Sequence, residues 1–195
     1  MSANYSLAQD LKEAAAMADS LESYVRGTEL YGNAGGGYFA RQPSLTIGAL
    51  AMRLRRLEAL SDDLDAKGRE QLRAAQQRYR QVEKEWSVHF GEKALKEAHS
   101  RLDAMRAFFQ ECANDSKSCA GNYPPELLRR TIVEELLPIL EQHRLADDDL
   151  ADKLKATDGN LRGIVRPSAF NWSPLLQPVY PQDRYWWLYQ RPPQD

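Results

Sequence analysis

Cysteine is nearly absent from this chain, at two residues in 195, which excludes a fold held by a disulfide framework. No apolar run approaches the roughly 20 residues that a membrane-spanning helix needs, so membrane insertion is not expected. There is no excess of basic charge: 26 Lys and Arg stand against 28 Asp and Glu, a net charge of −2. Dedicated nucleic-acid binders usually carry a basic excess, so nucleic acid is not an expected partner. The N-terminus has early acids and no signal-type apolar core, which points to the cytoplasm. In that reducing compartment Cys112 and Cys119 are expected as thiols, although a local disulfide across the polar hexapeptide between them is sterically feasible. Strand patterns of useful length and fixed-period repeats are also missing.

What is present is helical periodicity. Leu7, Leu11, Ala14, Ala18, Leu21 and Val25 step by four and three, which predicts a helix over 5–26 with Gly27 as its stop. A second helix is expected from Ser44 to about Ser61, with Ile47, Leu50, Leu54, Leu57 and Leu60 or Leu64 inward. The longest pattern covers 65–112. Its first run (Leu72, Ala75, Tyr79, Val82, Trp86) is out of phase with its second (Leu95, Ala98, Leu102, Met105, Phe109, Cys112). Heptad drift of about 20° per repeat is too small to explain this, so a kink near Gly91 or two different packing neighbours is expected. Unbroken, the helix would be about 70 Å long. Residues 113–123 read as a loop, and Pro124 and Pro125 as the opening of a fourth helix with Leu128, Ile132, Leu136 and Leu140 inward. Pro138 should kink or end that helix. Asp147, Asp148 and Asp149 should cap a fifth, with Leu150, Leu154, Leu161 and Val165 inward.

The expected fold is all-α: an elongated antiparallel bundle of about five helices with one long central helix, over residues 1–166. Residues 167–195 differ in composition, holding six of the ten prolines and a dense set of aromatics. Prolines forbid a continuous helix there, and the aromatics argue against disorder. An extended arm packing on the bundle or on a partner is expected.

Several residue groups invite a functional reading. The loop over 27–43 carries Gly32, Gly35, Gly36 and Gly37. Such loops can cradle anions through backbone amides, and Tyr31, Gly35, Gly36, Gly37, Tyr38, Phe39 and Arg41 form the candidate ligand-binding set. Neither a P-loop nor a dinucleotide fingerprint is present, and a plain crossover between helices is the simpler reading. Glu85, His89, Glu92, Lys96, His99 and Asp103 share one helical face, and Glu85, His89 and Glu92 could reach one ion. A solvated stripe of i,i+4 pairs accounts for them as well. His143 is the remaining histidine, and the di-iron pattern of Glu-x-x-His pairs is absent, so neither metal nor cofactor is expected. Arg53, Arg55 and Arg56, and Arg129 with Arg130, are each followed by acids and are expected to pair with them. In the C-terminal arm, Trp172, Tyr180, Tyr185, Trp186, Trp187 and Tyr189 are candidate partner-binding residues, since Trp and Tyr dominate binding hot spots. The alternative is that the arm completes the chain's own core. With no catalytic constellation in the sequence, the expected function is a non-enzymatic protein interaction or scaffold module acting on a protein partner or a second copy. A small-ligand or anion-binding bundle using the glycine-rich loop is the alternative, and a metal-dependent enzyme using Glu85, His89 and Glu92, or His143, ranks behind both.

Overall fold

The structure, a computed structural model, describes residues 5–35, 44–114 and 116–193. These are mostly helical, with α1 over Leu7–Arg26, α2 over Ile47–Ala59, α3 over Ala66–Glu85, α4 over Ser87–Asn114, α5 over Ser116–Gln142 and α6 over Asp148–Ile164. Four two-residue strands form two antiparallel ribbons: β1 (Gly32–Asn33) with β2 (Ser44–Leu45), and β3 (Arg166–Pro167) with β4 (Gln190–Arg191). No helix among the described residues is long and apolar enough to cross a membrane.

The helix ends follow local chemistry. The side chains of Ser6, Thr46, Asp65 and Asp147 each accept an amide hydrogen bond from the first turn of α1, α2, α3 and α6. The chain divides into two compact units. One comprises 6–97 with 135–145, and the other 1–5 with 98–134 and 146–195, so α4 and α5 each contribute to both.

In the first unit Leu11, Ala14, Ala18, Leu21 and Val25 of α1 are buried, as are Ile47, Leu50, Leu54 and Leu57 of α2. Leu72, Ala75 and Val82 of α3, Phe90 of α4, and Leu136 and Leu140 of α5 complete that core. Arg53 of α2 pairs with Asp10 and Glu13 of α1. The expected long central helix is interrupted, and this raises the count of α-helices among the described residues to six. The break falls at Trp86, where φ −114° and ψ 33° leave the helical region, and not at Gly91. Gly91 lies inside α4 at a close approach: a Cβ there would stand 2.7 Å from Leu145 Cδ1. The phase conflict read from the sequence therefore marks a junction between two helices, and glycine is used for packing.

Several expectations are corrected along α4 and α5. Residues 113–123 are not a loop, because α4 reaches Asn114 and α5 begins at Ser116. Pro124 and Pro125 lie within α5, each forgoing one ladder hydrogen bond, and Pro138 does not end it. Cys112 and Cys119 are not thiols but a disulfide, with their Cα atoms 4.9 Å apart across the α4–α5 junction. Compartment reasoning favoured thiols, whereas the tight junction brings the two positions within bonding range. A structural disulfide belongs to oxidising compartments and lends no support to a cytoplasmic location. Leu128, expected inward, is exposed on α5.

Residues 167–193 are not extended throughout. They fold back in two 3-10 turns, Pro174–Val179 and Trp186–Tyr189, and close on α6 through the β3–β4 ribbon. Leu176, Val179, Tyr180, Tyr185, Trp187 and Leu188 are buried within this unit.

Candidate functional site

The glycine-rich crossover leaves α1 at Gly27 and enters α2 at Thr46. Its described ends are fixed at several points. The Tyr24 hydroxyl donates to the carbonyl of Leu30 at 2.7 Å. β1 pairs with β2, setting Gly32 opposite Leu45 and Asn33 opposite Ser44. Gly32 must be glycine, since a Cβ would stand 2.8 Å from the Tyr24 ring. Gly35 has φ 91°, a left-handed conformation that glycine adopts without penalty, and its amide donates to Ser20 Oγ at 3.2 Å.

Two buried charges of α4 hold the same two ends from below. Lys93 donates to the carbonyls of Tyr24 and Gly27, the latter at 2.9 Å, and its Nζ lies 4.0 Å from the centroid of the Tyr24 ring. An ammonium here satisfies carbonyls at the negative end of the α1 dipole. Burial pushes the Lys93 amine below the usual lysine range; Glu29 opposes that shift and Lys96 adds to it. One turn further along α4, fully buried Glu97 accepts from the Gly48 amide at 2.9 Å, placing its carboxylate at the positive end of α2. Lys93 and Glu97 thus clamp the exit and the entry of one crossover from a single helix face.

Beside this clamp sits a polar interior. The Tyr79 hydroxyl is buried without a hydrogen-bond partner among the described residues. Burial raises its pKa well above the ordinary phenol value, with the carboxylates of Glu83, Glu97 and Glu135 adding to the shift. Glu83 accepts from His143 Nε2 at 3.1 Å or faces it across an ion pair, according to the ring's protonation. Glu135 takes Arg55 NH1 at 3.3 Å. Among the described residues no three metal-ligating side chains converge on one point.

The crossover's candidate residues divide. Tyr31 is 47% exposed at the base and Gly35 is placed as above. Gly36, Gly37, Tyr38, Phe39 and Arg41 lie outside the described residues. The polar stripe is solvated: Glu85, His89, Glu92, Lys96 and Asp103 are exposed, and Glu85 and His89 belong to different helices. His99 is half-buried, with Nδ1 3.2 Å from Lys153 Nζ and 3.7 Å from Asp149. Of the basic clusters, Arg130 pairs with an acid that follows it, Glu134, whereas Arg53 takes Asp10 and Glu13, Arg55 takes Glu135 and Arg129 takes Glu126; Arg56 and Arg130 are buried.

The arm's aromatics meet the rest of their own unit. The Trp187 indole donates to Thr131 Oγ1 at 3.0 Å, its carbonyl accepts from Tyr123 at 3.3 Å, and Arg130 lies 4.0 Å over its ring. Arg130 in turn grips Asp158 through Nε and NH2 at 2.7 and 3.1 Å and reaches Glu134 at 3.0 Å. Tyr189 donates to the carbonyl of Tyr180 at 2.8 Å, and Tyr180 and Tyr185 meet edge to face. Of the six candidate residues, Tyr180, Tyr185, Trp187 and Tyr189 are buried, while Trp172 and Trp186 keep part of their surface in solvent.

Sequence reasoning missed Lys93, Glu97 and Glu126. Each breaks the polar-out pattern of its helix, but a single charge near an apolar stripe gives no warning of burial. Glu126 on α5 is 2% exposed, pairs with Arg129 through Oε1, and leaves Oε2 without a partner among the described residues. Burial raises its pKa from 4.5 to about 7; Arg129 counteracts this by charge and by hydrogen bonding, and Glu111 adds to it. The folded chain therefore holds a proton that the unfolded chain releases, and stability falls as pH rises from 4.5 to about 7. Glu126→Gln should remove this dependence and exceed the parent at pH 8 by roughly 2–3 kcal/mol. Urea unfolding across pH 4–8 checks it, and parallel profiles for the two proteins would refute it.

Comparison with family models, with characterised proteins and with solved structures finds no match to this chain.

Proposed function

We propose that the chain is a non-enzymatic interaction module that meets a protein partner through the glycine-rich crossover between α1 and α2. The observation that supports this reading is the clamp on α4, where buried Lys93 and Glu97 hold both ends of one loop. Buried charges are costly, and here two of them serve the placement of the ends of one connection. Rigid elements that present a loop are the usual architecture of a binding surface. Tyr31, exposed beside the ribbon, suits such a contact because a rigid aromatic loses little entropy on binding. Burial of Tyr180, Tyr185, Trp187 and Tyr189 inside their own unit moves the weight of the interaction away from the arm.

The test replaces residues 35–43 with a Gly-Ser segment of equal length and adds Tyr31→Ala as a second variant. Partners enriched with the parent protein are quantified by mass spectrometry beside both variants, with thermal unfolding as the folding control. The expected result is an unchanged unfolding temperature and loss of a defined partner. Retention of the same partner at the same level by both variants would overturn the proposal.

A further inference from the structure

The β3–β4 ribbon places Arg166 directly opposite Arg191. Residues paired across an antiparallel ribbon point to the same face, with Cβ atoms about 5 Å apart. Both side chains are exposed. Like charges in this position repel, and sequences usually place an opposite charge or a neutral residue there. Neither guanidinium meets a carboxylate among the described residues. Arg166 donates from NH1 to the carbonyl of Val165 at 2.7 Å. Arg191 donates from Nε and NH2 to Asn171 Oδ1 at 3.1 and 2.9 Å.

Asn171 is itself pinned, its side-chain amide donating to the carbonyls of Leu188 and Gln190 at 2.9 and 2.8 Å. Among the described residues each arginine is therefore oriented by neutral acceptors that do not compensate its charge. One edge of the Arg191 fork is held, and NH1 remains for an external acceptor. The cost of holding two long side chains in place is met within the fold before any ligand arrives.

We propose that Arg166 and Arg191 form a clamp for a phosphate monoester. Two guanidinium groups carry a charge of two, which a phosphate monoester near pH 7 matches and a single carboxylate does not. The guanidinium fork fits phosphoryl oxygens in pairs, a geometry that lysine lacks. This site lies on residues other than the crossover loop and does not depend on the function proposed for that loop.

The experiment titrates the full chain with inorganic phosphate and with phenyl phosphate, at constant ionic strength maintained with chloride. Binding is read from the arginine Nε resonances and by calorimetry. The parent protein should bind saturably. Arg166→Gln and Arg191→Gln should each weaken binding by about tenfold or more, and Arg166→Lys should fall between them and the parent. The ligand-free Gln variants should unfold at no lower temperature than the parent at low salt, because a repulsion has been removed. Equal affinity for the two probes assigns recognition to the phosphoryl group alone. Tighter binding of phenyl phosphate adds a contact for the ester group. A response that chloride reproduces, or one that persists in the double Gln variant, would overturn the proposal.

Discussion

Replacing Trp187 by alanine should destabilise the protein by about 3–5 kcal/mol, the largest loss expected of any single aromatic in the C-terminal segment. The ring is 1% exposed and sits between Arg130, Tyr185 and Trp186. Its removal opens a cavity and also strands the Thr131 hydroxyl, which now accepts the indole N–H while donating to the carbonyl of Leu127. Arg130 would lose its aromatic face while remaining paired with Asp158 and Glu134, so the ion pairs alone would have to hold it. Urea unfolding gives the magnitude. Hydrogen exchange over 167–193 gives the location, because protection should fall there first. A loss below about 1 kcal/mol, the range of an exposed substitution, would refute the role assigned to this ring. Thr131→Val removes both hydrogen bonds of the hydroxyl while keeping the ring in place and should cost about 1–2 kcal/mol.

Glu97→Ala should cost about 2–4 kcal/mol, by a different physical route. The carboxylate is inaccessible to solvent and accepts the Gly48 amide at the start of α2. Alanine leaves that amide buried and unsatisfied and removes the negative charge from the positive end of the helix. Glu97→Gln keeps an acceptor oxygen and should lose distinctly less. An equal loss in the two variants, measured by the same unfolding experiment, would refute the hydrogen-bond route and assign the whole effect to the negative charge, since glutamine fills the same space and keeps an acceptor.

Much of the helical architecture was legible because it rests on periodicity. The stripe from Leu11 to Val25 and the stop at Gly27 reappear in α1, and Asp147 caps α6 through the Leu150 amide at 2.8 Å. The phase conflict between Trp86 and Leu95 correctly signalled an interruption. Its position was misjudged because glycine was read as a hinge, whereas Gly91 is small so that Leu145 and His143 can approach. The start of α5 was misplaced because Pro124 and Pro125 resemble a helix opening, although they lie beyond its first turns. The spacing of Cys112 and Cys119 left a local disulfide feasible, but the compartment argument favoured thiols, and what decides for the bond is where α4 ends and α5 begins. The clamp was illegible for a related reason. Lys93 and Glu97 look like an ordinary solvated i,i+4 pair, and only the arrival of α1 and α2 at that face makes them interior groups.

That clamp has a consequence for tolerance to insertion. The described ends of the crossover are fixed by α4 and by the β1–β2 ribbon, and these contacts do not depend on the length of chain inserted between Gly35 and Ser44. Closure entropy grows slowly with length, by about 0.6 kcal/mol for each doubling. This stretch is accordingly the natural place to graft a foreign peptide or to cut and rejoin the chain in a circular permutant, with the helical platform left intact.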